Sequence, residues 1–180
     1  LCYDLNAILY FFLVENGFHV SLLRGAVYNH TTQDWHATGR THVTILLTHD
    51  QHTYLVDTGF GTNLPLRPVP LSGETVKSKN GEFRIKQTDS AYGDYQLEFK
   101  LKHKDKDWKI GYTFDSERAI DGVSELVEVR NIIVRHPESA FNKNPLMTRI
   151  TDRGTITLTD STFTQRIDGE VKKEDISEET

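Results

Sequence analysis

With 180 residues, 37% hydrophobic and 26% charged, the chain is long enough to bury a core and reads as an ordinary soluble protein of one large or two small domains. Its formal net charge of −5 disfavours nucleic acid as a partner, because phosphate binding calls for an excess of Lys and Arg on one face. A single cysteine excludes an internal disulfide and a multi-thiolate metal site and fits a reducing cytoplasm, and the longest apolar stretch, "AILYFFLV", is about half of what a membrane crossing needs.

The first segment carries Leu1, Leu5, Ile8, Leu9, Phe12 and Leu13 at spacings of three and four, which predicts a helix with one apolar face. It stops at "ENG", where Gly17 suits a left-handed terminal cap. From Phe18 the period changes to two: "FHVSLLRGAVY", "HVTILLT", "TYLVDTG", "YQLEFKLK" and "WKIGYTF" have the alternation and the branched or aromatic content of strands. The links "HDQ" and "HKDKD" are too short for a crossover helix, so the sheet is expected to be antiparallel. "NLPLRPVPLSGE" is proline-rich and predicts an extended loop. A second helix is expected in "SELVEVRNIIV", with Leu126, Val129 and Ile133 on its buried stripe, Ser124 as cap and His136-Pro137 as its end. "LMTRIT", "DRG" and "TITLTD" then predict a hairpin, with "TFTQRI" as a third strand, and the closing "GEVKKEDISEET" reads as a polar tail.

The hairpin "THVTILLTHDQHTYLVDTG" holds the most informative chemistry. A two-residue turn at His49 and Asp50, or a four-residue turn from Thr48 to Gln51, places His42 directly opposite Asp57, with Val43, Ile45, Tyr54 and Val56 on the other, apolar face. Alone, a cross-strand His-Asp contact is only a local polar interaction. Cys2 changes its meaning: at a helix start, the free N–H groups and positive dipole end favour a thiolate, and a nearby imidazolium lowers the thiol pKa further. Cys2, His42 and Asp57 would then be nucleophile, base and orienting group for acyl transfer through a thioester. Spacing does not say whether helix and hairpin meet. Directly after Asp57, "TGFG" contains Gly59 and Gly61, which allow close backbone approach and offer amides to an anion. The other histidines show no metal-type spacing, and no metal is expected.

These residues resemble the arylamine N-acetyltransferase family. "CYDLN" is similar to that family's segment of catalytic cysteine, aromatic, acidic residue and Leu-Asn; "THVTILL" to its histidine strand; "YLVDTGFG" to its aspartate strand and Gly-Phe-Gly turn; and "RHPESAF" to its later Pro-x-Ser-x-Phe segment. The order Cys, His, Asp and separations of about 40 and 15 residues agree. The resemblance implies Cys2 as nucleophile, His42 as its ion-pair partner and Asp57 as the orienting carboxylate. It implies acetyl-CoA as donor, an arylamine or hydrazine as acceptor, Thr38, Gly39, Gly59 and Gly61 as CoA contacts, and Thr41, His42 and Phe60 as the acceptor border. The expected architecture is α+β: residues 1–17 as a cysteine-bearing remnant of a helical domain, 18–116 as an antiparallel β-barrel-like sheet, and 117–180 as part of an α/β lid. The family's Arg-Gly-Gly before the cysteine and its terminal helix after "DISEE" do not occur here, so the chain reads as a fragment of such a protein. The competing readings are a Cys-His-Asp thiol peptidase or transglutaminase-like acyltransferase, and a catalytically silent β-barrel binding module with Cys2 merely buried.

Overall fold

A computed structural model describes residues 1–176. Helix α1 (Cys2–Glu15) is followed by strands β1 (His19–Asn29), β2 (Asp34–Trp35), β3 (His42–His49), β4 (His52–Val56), β5 (Val69–Pro70), β6 (Val76–Ser78), β7 (Gly81–Ser90), β8 (Gly93–Leu101) and β9 (Lys109–Ala119). Helix α2 (Val123–Arg135) leads to a second sheet of β10 (Leu146–Thr151), β11 (Gly154–Thr159), β12 (Thr162–Ile167) and β13 (Glu170–Asp175). The fold is α+β. The first sheet runs β5-β4-β3-β1-β9-β8-β7-β6, with β2 paired to β1, and every pairing is antiparallel. Its ends curl together until β5 lies against β7, giving a nearly closed barrel. The second sheet is a meander in chain order whose first strand approaches the segment after β4.

Both faces of β1 and β3 are covered, which fixes where the helices go. Leu23, Leu46, Leu55, Phe83, Leu97, Tyr112 and Phe114 fill the barrel interior. Leu22, Val43 and Ile45 point the other way and pack with Val129 and Ile133 of α2 and with Leu9, Tyr10 and Leu13 of α1. Arg24 of β1 adds a polar tie to α2, reaching Glu128 at 3.1 Å and Glu125 at 3.5 Å.

Several expectations change here. The face of α1 that goes inward is Cys2, Asn6, Leu9 and Leu13; Leu1, Leu5, Ile8 and Phe12 stay exposed, so the apolar spacing marks two faces and not one. Gly17 does adopt φ +78, just past the helix end. α2 is not capped by Ser124: its N-cap is Gly122, and Glu125 reaches back to accept from the Asp121 amide at 2.8 Å. The hairpin turn is Asp50-Gln51, closed by the pair His49 and His52. Both turn residues have positive φ, 47 and 63, the type I′ geometry whose twist suits a hairpin; without a glycine to mark it, the turn is illegible in sequence. The register is therefore two residues from the expected one, and His42 is not opposite Asp57; a shift of two leaves both on the same face. β7, not among the expected strands, pairs with β8 with an irregularity between Gln87 and Ser90, and β13 occupies much of the expected polar tail. Residues 177–180 of that tail lie outside the described residues.

Candidate functional site

Four segments distant in the chain meet at one end of the barrel: the first turn of α1, the start of β3, the loop after β4, and the middle of β9. Cys2 is the first residue of α1. There the N–H groups of the opening turn have no intrahelical acceptor and the helix dipole favours negative charge. The Cys2 thiol points to the Thr41 carbonyl, Sγ to O 3.7 Å. One turn on, Asn6 shares the Cys2 face and is fully buried, at 0% exposure. Its amide is completely used: Nδ2 donates to the Val43 carbonyl at 2.7 Å and to Asp57 Oδ1 at 2.9 Å, while Oδ1 accepts from the Thr58 amide at 3.0 Å and the Thr58 hydroxyl at 3.1 Å. The Val43 carbonyl can only accept, which fixes which way the amide faces.

Asp57 follows the last residue of β4 and turns back into the barrel end, 3% exposed. Its Oδ1 accepts from Asn6 and from the Gly59 amide at 2.7 Å; its Oδ2 accepts from His42 Nε2 at 2.7 Å and from the Tyr112 hydroxyl at 2.8 Å. Tyr112 gives its only proton to Asp57, so the Thr44 hydroxyl, 3.0 Å away, donates to the Tyr112 oxygen. With Nε2 of His42 bound to Asp57, Nδ1 is the ring nitrogen left for the sulfur. Gly59 closes the arrangement: a Cβ there would fall 2.5 Å from Cys2 Cα and 2.7 Å from Cys2 Cβ, so only glycine lets this loop rest on the helix start. Phe60 packs its ring 5.1 Å from His42 and, edge to face, 5.0 Å from Tyr112.

The buried charges set one another. Burial opposes the imidazolium, but the charge and hydrogen bond of Asp57, with the Cys2 sulfur adding to them, push His42 up to about 10. Burial likewise works against the Cys2 thiolate and the Asp57 carboxylate. Hydrogen bonding and charge from His42, with the Val43 amide, still bring the thiol below its usual value, and His42, Asn6 and the Gly59 amide hold Asp57 low. Tyr112 goes well up, through burial and the neighbouring carboxylate, and so stays a proton donor. These shifts favour a thiolate-imidazolium pair backed by a carboxylate. Among the described residues no three His, Cys, Asp or Glu side chains converge as metal ligands would.

A sequence model of the N-acetyltransferase family matches residues 1–180. The chain is 44% identical to the uncharacterized acetyltransferase YvcN of Bacillus subtilis over 98% of its own length and 67% of that protein's. It superposes on arylamine N-acetyltransferase C of Bacillus anthracis with a TM-score of 0.90 at 38% identity, covering 98% of this chain and 67% of that one. A Bacillus cereus arylamine N-acetyltransferase, described as having a unique Cys-His-Glu catalytic triad, gives 0.89 at 37% identity over 99% and 68% of the two chains. The chain belongs to the arylamine N-acetyltransferase family.

Membership in this family of acyltransferases gives the expected residues a common setting. Cys2, His42 and Asp57 come together, with Thr41 and Phe60 at their border. Thr38 is linked to Thr41, whose hydroxyl donates to it at 3.1 Å, and Gly39 follows with φ +65 and open space where a Cβ would be. Gly61, φ +59 and equally open, starts a single 3₁₀ turn to Asn63. Gly59 differs from expectation: its amide is spent on Asp57 and is not free for an anion. Sequence reasoning missed Asn6, Thr44 and Tyr112. Asn6 had a signal, being a poor helix former one turn from Cys2 on the same face. Tyr112 had none, because its inward direction depends on a strand irregularity.

Proposed function

We propose that this protein transfers acetyl from acetyl-CoA to the nitrogen of an arylamine or hydrazine, in two steps through a thioester on Cys2. The observation that carries the reading is the 2.7 Å buried bond from His42 to Asp57, set behind a cysteine at a helix start. In the first step the Cys2 thiolate attacks the donor carbonyl, the sulfur-carbon bond to CoA breaks, and His42 gives its proton to the departing thiolate. The unpaired N–H groups of the first turn of α1, Cys2's own among them, face the developing oxyanion. In the second step the amine attacks the acyl-enzyme, His42 takes the nitrogen's proton, and the Cys2 thiolate leaves. Asp57 stays ionised throughout and keeps the ring aligned.

The donor and acceptor classes rest on the names of the relatives. In the Bacillus cereus relative the third triad member is Glu; in this chain the carboxylate is Asp57. We assign the open glycines Gly39 and Gly61, with Thr38, to CoA, and Thr41 and Phe60 to the acceptor. In this reading residues 1–17 bring the nucleophile, 18–116 the barrel that supplies His42 and Asp57, and 117–180 a partial lid. We assign the protein to the cytoplasm, where a reactive thiol stays reduced. The test is intact mass after incubation with acetyl-CoA: one added acetyl, absent in Cys2→Ala and discharged by an arylamine, is expected. A protein that stays unmodified at a Cys2 shown to be alkylatable would overturn the reading.

A further inference from the structure

Along its pairing with β8, strand β9 departs from regular register at one residue. Tyr112 pairs with Leu97 of β8, but Glu98 pairs with Ile110, so Gly111 is an extra residue, a β-bulge. The alternation that sets Lys109 opposite Phe99 would otherwise continue to 111 and 113 and turn Tyr112 out of the barrel. With the bulge, Tyr112 and Phe114, both fully buried, line up with Leu97 and Tyr95, and the Tyr112 hydroxyl reaches Asp57.

The same glycine makes room for Phe60. A Cβ on Gly111 would lie 2.9 Å from Phe60 Cε1 and 3.4 Å from its Cζ. Gly111 is not among the glycines with positive φ, so its own conformation does not call for glycine; the space taken by the ring does first, and the Leu97 carbonyl, 3.3 Å from such a Cβ, second. Phe60 in turn stands beside the reacting groups, half-buried, 5.1 Å from the His42 ring and next in sequence to Gly59, which rests on Cys2. Moving that ring changes the space beside His42 and the loop that rests on Cys2.

We propose that Gly111 is a specificity-determining residue: by letting Phe60 sit against β9, it sets the size of group that can reach Cys2. This rests on the reading of Cys2 as the reacting group, and not on the identity of donor or acceptor. Gly111→Ala requires the ring edge to retreat by about 0.5 Å to reach ordinary contact, and Gly111→Val requires more. The assay is alkylation of Cys2, the only thiol, by iodoacetamide and by its N-phenyl derivative; in both the thiolate displaces iodide and forms a carbon-sulfur bond. In Gly111→Val the rate with the phenyl reagent is expected to fall about tenfold against that with iodoacetamide, whose own rate stays within about twofold, and Phe60→Leu in the same chain restores the ratio. Gly111→Ala gives the same change, smaller, and serves if the valine variant does not fold. An unchanged ratio, an equal fall of both rates, or no restoration by Phe60→Leu overturns the proposal. If the ratio responds while the native protein takes no acetyl from acetyl-CoA, the acetyl-transfer reading fails and this one stands.

Discussion

Replacing Cys2 by alanine should change how stability depends on pH, and the size of the change follows from proton counting. Between about pH 6.5 and 9.0, the ordinary values of the two groups, the unfolded chain carries one proton on Cys2 and none on His42. In the native chain His42 keeps its proton up to about 10, and Cys2, lowered by His42, gives up its proton at lower pH than the unfolded thiol does. Where the lowered thiol is ionised, folding moves a proton from sulfur to ring without net uptake, and the pair adds no slope there. His42 by itself is a group raised on folding, so its contribution is complete below about 6.5 and is lost as pH rises toward its native value; Cys2, lowered on folding, contributes with the opposite slope and cancels it. In Cys2→Ala the cancellation goes. Asp57 still holds His42 up, so below the native His42 value the native state binds one proton more than the unfolded, and stability falls with rising pH at up to about 1.4 kcal/mol per unit. Urea unfolding of wild type, Cys2→Ala and Cys2→Ser, followed by the fluorescence of Trp35 and Trp108, measures this directly. The remaining titrations cancel in the difference. A gap between wild type and alanine that is constant across the window would refute the ion pair, because a neutral thiol gives both proteins the same slope.

Two further expectations concern groups that hold the site together. Asn6→Ala leaves the Val43 carbonyl and one Asp57 lone pair without their donor in a buried place, and a loss of about 3 kcal/mol in unfolding free energy is expected; a change under about 0.5 kcal/mol would show that the amide network does not carry the helix start. Gly59→Ala forces the loop and the first turn of α1 apart, since its Cβ would meet Cys2 Cα at 2.5 Å. The needed displacement approaches 1 Å, so Cys2 alkylation by iodoacetamide and acetyl transfer should both drop about 100-fold, and a variant with wild-type rates would contradict the close packing.

How much of this was readable without the fold depends on the range of the interaction. The helix at the start, the antiparallel hairpin and the second helix follow from local periodicity, and "CYDLN", "THVTILL" and "YLVDTGFG" together mark Cys2, His42 and Asp57. Face assignment within the hairpin also survived, because a two-residue error in register does not exchange the faces of a strand. The inward face of α1 was not readable: its apolar residues outnumber what one side can bury, and the buried side is decided by where β3 and the Asp57 loop stand.

Sequence by itself determined which side chains can do the chemistry, since the identity of a thiol, an imidazole and a carboxylate, and their order, are properties of the chain. Tertiary structure alone decided that they meet, and in what protonation state. Asn6 crosses from helix to strand and loop, the bulge at Gly111 turns Tyr112 onto Asp57, and Gly59 admits the loop to the face of Cys2. Each is a contact between residues far apart in sequence, whose pKa shifts come from charges placed within a few ångströms by folding; no local pattern encodes such a distance.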